Sequence, residues 1–271
     1  MVCTLRRLVF AVLLLTAAFC VQARDYTDVY YNPAESGWGF FLVQSEGFQF
    51  LAFFIYGSDG KPTWYVALLG DDGTGTDTYT GQLFATTGPY FPLPWNPAQY
   101  SATAAGTATF KAIDAYHATF TYTVNGVGTV TKNVQRQTLN PYVLAGSYSG
   151  SLVGSVSACA NPAQNVPAFT YRFNLTVTQV ADSSATLTFT IVDPTGPFNN
   201  VVCTFSGAIA HFGRLYQMPN ASYSCPLSSA TAAVINQFHP TGQGIEGRWR
   251  ADEGGGCVES GHFSAVDLSL R

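Results

Sequence analysis

The chain is short of charge: Lys, Arg, Asp and Glu fill only 10% of its 271 positions. A helical bundle needs charged outer stripes on its helices, so this composition disfavours one. The 12 Lys and Arg are outnumbered by 16 Asp and Glu and are scattered, which leaves no basic footprint for DNA or RNA. No basic amphipathic segment is present to lie on a membrane surface. Histidine is equally scarce. His117, His211, His239 and His262 stand apart, without H-E-x-x-H or any other metal spacing. The cysteines form no C-x2-C pair, which disfavours zinc. There is no G-x-S-x-G elbow to anchor Ser/His/Asp hydrolysis. Gly254-Gly255-Gly256 lacks the strand-to-helix setting of a phosphate loop, so no nucleotide cofactor is called for. Asp71, Asp72 and Asp77 supply oxygen ligands of the kind calcium takes. Without calcium-hand spacing and its closing Glu, the loop reads as a solvated turn, and no metal site is assigned.

Long apolar runs are also missing, except at the start. Arg6 and Arg7 precede the apolar stretch Leu8 to Phe19, and Val21-Gln22-Ala23 offers small residues at the −3 and −1 positions. These are the three parts of a cleaved secretory signal peptide over residues 1–23. The apolar run is shorter than the ~20 residues of a spanning helix, so the mature chain is expected to have no transmembrane anchor. Bulky Phe19 disfavours lipidation of Cys20. Removal of the leader takes two arginines and no acid, moving the net charge from −4 to −6. Export to the periplasm or the extracellular space is the expected localisation.

What the chain does have is aromatic and apolar residues, 14% and 47% of the total. They come in short runs with uncharged polar residues between, a pattern of half-buried strands. The fold class expected is all-β, with antiparallel meanders forming two barrel- or sandwich-like domains. The first, residues 24–140, is organised around Asn32 to Gly70, three strands joined by turns at Glu46-Gly47 and Ser58-Asp59-Gly60-Lys61. Its second strand, Phe48 to Tyr56, is apolar on both faces and is expected to be covered by another layer or a loop. Gly88 to Tyr100 holds four prolines and cannot pair regularly. Asn140-Pro141 breaks the pattern, and residues 141–271 restart as eight strands, about enough to close an up-and-down barrel. No repeat in the sequence relates the two halves.

After removal of the leader four cysteines remain, with three possible connectivities. Cys203 and Cys225 lie at equal distances from the turn at Gly213-Arg214, so antiparallel pairing sets them opposite each other. That assigns Cys203–Cys225 and leaves Cys159–Cys257.

The runs NPAESGWGFFLVQ and FFIYGSDGKPTWYVA resemble those of exported bacterial proteins of unassigned function, which carry an N-P-x-E-S-G-W-G start and a Y-x-x-x-G-x-P-x-W hairpin. GIEGRWRADEGGGCVESGHFSAV resembles their C-terminal half. The resemblance implies an exported β protein and carries over no site residue.

Candidate ligand-binding residues are Glu35, Trp38, Tyr90 and Trp95. Glu35 and Trp38 form either a ligand-facing loop or a structural corner in which Trp38 packs inward, and the corner is favoured because Trp38 shares a strand face with Phe40 and Leu42. Tyr90 and Trp95, held by the proline-rich loop, suit stacking on a glycan. Catalytic residues are not assigned; Glu35 with Asp59, or Glu246 with Glu259, are the carboxylate pairs to examine. The expected function is a non-catalytic binding or interaction protein for a glycan or another envelope component. The alternatives are a cell-envelope hydrolase and a structural surface protein acting through protein partners.

Overall fold

The computed structural model describes residues 24–270; the signal peptide reading falls outside the described residues. The protein is all-β, and among the described residues the only helical elements are three short 3-10 turns. The first eight strands are β1 (Asp28–Tyr31), β2 (Gly39–Ser45), β3 (Phe48–Tyr56), β4 (Pro62–Asp71), β5 (Thr78–Thr87), β6 (Ser101–Ala112), β7 (His117–Val124) and β8 (Gly128–Arg136). Each pairs antiparallel with the next, and Tyr30 of β1 pairs with Arg136 of β8 to close a barrel.

The second unit contains β9 (Gly146–Ser157), β10 (Val166–Val180), β11 (Ser184–Val192), β12 (Val202–Ala208), β13 (Ala210–Phe212), β14 (Leu215–Ser224), β15 (Ala232–Thr241), β16 (Gly244–Gly254) and β17 (Cys257–Asp267). β9 pairs with β17, and β12 pairs with β14, so this sheet also closes around eight strands. β13 is a three-residue arm on the edge of β14. Both barrels therefore follow the up-and-down order. They also share a local device. Tyr30 Oη donates to Tyr26 O at 3.0 Å, and Tyr148 Oη donates to Leu144 O at 2.8 Å, each tying the first strand of its barrel to the chain four residues earlier.

Alternation builds both interiors. In β11, Ala185, Leu187, Phe189 and Ile191 point inward while Thr186, Thr188 and Thr190 point away from the core. The first barrel is filled by aromatic rings: Tyr30 stacks on Phe40 at 5.2 Å, and Phe40 meets Phe120 at 4.4 Å. Closure corrects one expectation. Gln49, Leu51 and Phe53 of β3 face the interior and are fully buried, but Phe48, Phe50, Phe54 and Tyr56 on the outer face stay 43–55% exposed. A closed barrel has a single inside and fills it with one face of each strand, and among the described residues no second layer covers the outer face of β3.

The two barrels dock through Arg136, which is 1% exposed. Its guanidinium donates to the carbonyls of Ala115, Thr27 and Asp25 and to Asp28 Oδ2, the last at 2.9 Å. Asp28 Oδ2 also accepts from the Arg214 amide of the second barrel at 3.3 Å, and Arg214 pairs with Asp25. Tyr116 Oη accepts from Gln237 N at 2.8 Å, and the Tyr116 ring packs on Phe212 at 5.1 Å. Gly213 makes the close approach: its φ is +61°, and a Cβ there would collide with the Asp28 carboxylate and Arg136.

Candidate functional site

Strand order places the turns after β1, β3, β5 and β7 at one end of the first barrel, so the candidate residues Glu35, Trp38, Tyr90 and Trp95 share that end. They do not form one cluster of contacts. Glu35 Oε2 accepts from Trp38 Nε1 at 3.1 Å and Oε1 accepts from Lys132 Nζ at 2.7 Å. The Lys132 hydrogen bond holds the Glu35 carboxyl below its usual range. Trp38 packs edge-on against Phe53 of the core at 6.2 Å, so this pair braces a corner. Tyr90 and Trp95 are each 67% exposed, with Trp95 leaning on Tyr100 at 6.4 Å.

The carboxylate pairs drawn from the sequence do not assemble. Glu35 is engaged as above, while Asp59 accepts from Lys61 N within its own turn. Glu246 pairs with His239 Nε2 at 3.3 Å, and Glu259 lies buried near the far end of β17. Asp71 and Asp72 accept from the amides of Gly73 and Thr74, ordinary turn bonds, and Asp77 lies 3.7 Å from Arg24. Among the described residues no group of three His, Cys, Asp or Glu is placed to hold a metal ion.

A polar cleft of about 190 Å³ lies between the barrels, and its charges are largely paired with one another, Arg214 with Asp25 and His239 with Glu246. The more distinctive feature is a cavity of about 280 Å³ at the opposite end of the second barrel. Strand order brings together there the turns following β9, β11, β14 and β16, and with them both disulfides, Cys159–Cys257 and Cys203–Cys225. The second of these lines the cavity. The walls are mostly apolar: Leu152 and Val156 of β9, Phe169 and Tyr171 of β10, Phe189 and Ile191 of β11, and Phe205 of β12, with Phe198 from the loop above. Tyr223 of β14 stacks on Phe205 at 4.4 Å.

The polar groups converge on one wall. Glu259, 7% exposed, accepts from Trp249 Nε1 at 3.2 Å and from Tyr223 Oη at 3.3 Å. Trp249 reaches this position because its partner on β17 is Gly261, where any Cβ would strike the indole ring. Glu253 also lines the cavity, and its carboxyl accepts from Ser228 Oγ at 2.8 Å. Burial pushes the Glu259 carboxyl above the ordinary glutamate range. The Ser228 and Trp249 hydrogen bonds oppose this, and the Glu253 carboxyl adds to it. Burial likewise raises Tyr223, and the Glu259 charge beside it acts in the same direction.

Sequence reasoning missed Glu253, Tyr223 and the cavity walls, and it weighed Glu259 only with the wrong partner. A signal was present. In β17 the inward positions run Cys257, Glu259, Gly261, Phe263, Ala265, an acid on the core face of a strand. A comparison of the chain with protein-family models and with curated proteins found no match to either.

Proposed function

We propose that this is an exported, non-catalytic binding protein that takes a small, largely apolar ligand into the mouth of its second barrel. The observation that carries the reading is the cavity itself: apolar walls, one hydrogen-bonding wall built on Glu259, and a position at a barrel mouth, where such sites concentrate. Its size is adequate. An apolar cavity of about 150 Å³ already takes benzene, and this one measures about 280 Å³. Two disulfides at the rim suit an oxidising compartment. Among the described residues no helix is long and apolar enough to cross a membrane.

Thermal unfolding of the purified oxidised protein with a panel of apolar probes tests this. A probe present at 100 times its dissociation constant adds about 2.7 kcal/mol, a readable rise in Tm. Val156→Trp, which fills the cavity, is expected to abolish that rise while leaving the ligand-free transition cooperative. A rise unchanged in Val156→Trp would remove the cavity from the function.

The exposure of Tyr90 and Trp95 on a proline-stiffened loop favours a second reading, a glycan-stacking surface on the first barrel. A glycan-dependent shift lost in Trp95→Ala and kept in Val156→Trp would assign the activity there.

A further inference from the structure

We propose that the ligand of the second-barrel cavity carries a positive charge: an organic ammonium ion on an apolar body. This rests on the cavity reading above. The charged side chains lining the cavity are Glu253 and Glu259, and no Lys, Arg or His stands among the lining residues. An anionic ligand would therefore meet two acids and no counter-charge. A cation meets both acids and, in addition, an aromatic enclosure. Seven of the lining residues are aromatic, Trp249, Tyr223 and Tyr171 among them. Ring faces attract an ammonium group, most strongly where water is excluded, and tryptophan does so best.

The acids are held ready for this. Trp249 Nε1 and Tyr223 Oη fix one carboxyl, and Ser228 Oγ fixes the other. Burial, with the neighbouring Glu253 carboxyl adding to it, favours a proton on Glu259. An ammonium ion supplies the same compensation from outside. It takes the place of that proton, which leaves to solvent, and the net charge of the site is unchanged by the exchange. The groups facing Glu259 that set this balance are Glu253 of β16, Tyr223 of β14, Ser228 of the following loop, and Trp249.

The test uses three probes with one body and three charges: 4-phenylbutylammonium, 4-phenylbutanol and 4-phenylbutyrate. Each is titrated calorimetrically into the oxidised protein, in two buffers of different ionisation heat. The expected order is ammonium over alcohol by about tenfold or more, with the carboxylate weakest. Proton release should accompany the ammonium alone. Glu259→Gln is expected to shrink the ammonium-to-alcohol ratio while alcohol binding stays, and Glu253→Gln provides the same readout from the less buried partner. Alcohol binding as tight as ammonium, or carboxylate tightest, would overturn the charge assignment and leave the cavity standing. If none of the three binds, the cavity reading falls, and the charge inference with it.

Discussion

Glu259 shows how far one side chain can depart from what its residue type leads one to expect. Glutamates face water unless paired, yet this one is 7% exposed among aromatic rings, with a second acid, Glu253, lining the same cavity. Its raised titration has a defined consequence for stability. The folded protein holds the proton to higher pH than the unfolded chain does. Stability is therefore greatest below the ordinary glutamate value of 4.5 and falls as pH rises through the higher folded value. Each whole-unit difference between the two pKa values is worth about 1.4 kcal/mol. Glu259→Gln keeps the shape and removes the titration. The variant is expected to gain Tm relative to wild type between pH 4 and pH 7, measured by thermal unfolding across that range. A parallel course for the two proteins would show that Glu259 is ionised at its ordinary value.

Strand alternation made most of the elements legible. β2 to β8 and the eight barrel-forming strands of the second unit follow the apolar–polar pattern and the turn residues between them, and the disulfide Cys203–Cys225 follows from hairpin symmetry. Two elements were not legible. β1 has only four residues, too few to display a period. Its place between β2 and β8 depends on Tyr26 and Tyr30 reaching an interior that exists only after closure. β13 is shorter still. β3 was legible as a strand, but its environment was not, because alternation shows that two faces differ or agree and never what stands opposite them. At this scale the Cys203–Cys225 bridge, spanning 22 residues, joins β12 to the residue that follows its paired strand β14 at the cavity mouth. Cys203→Ala with Cys225→Ala is expected to cost about 3 kcal/mol in urea unfolding, from the freedom restored to the unfolded loop. A cost near zero would mean that the pairing of β12 with β14 alone holds the mouth.

In the whole molecule the two barrels meet at a buried charge. Arg136 satisfies three carbonyls of the first barrel and shares Asp28 with the amide of Arg214 from the second. Removing one partner of a buried pair leaves the other uncompensated, at about 3–5 kcal/mol. Arg136→Met, which keeps the length of the side chain, is expected to lower the unfolding free energy measured in urea by an amount in that range. It should also raise amide hydrogen exchange at both Tyr116 and Arg214. Exchange rising at only one of the two would show that the barrels are held by separate contacts. The sequence by itself determined the strands, the turns and the all-β class, because these depend on period and on local backbone preference. Hairpin symmetry also pointed to Cys203–Cys225, which left Cys159–Cys257, and both bridges are present. Only the tertiary structure decided that both sheets close, that the outer face of β3 stays open, and that Glu253, Glu259, Tyr223 and Trp249 share one cavity wall. Those facts join residues from strands far apart in the chain, and closure alone sets which of them face the same enclosed space.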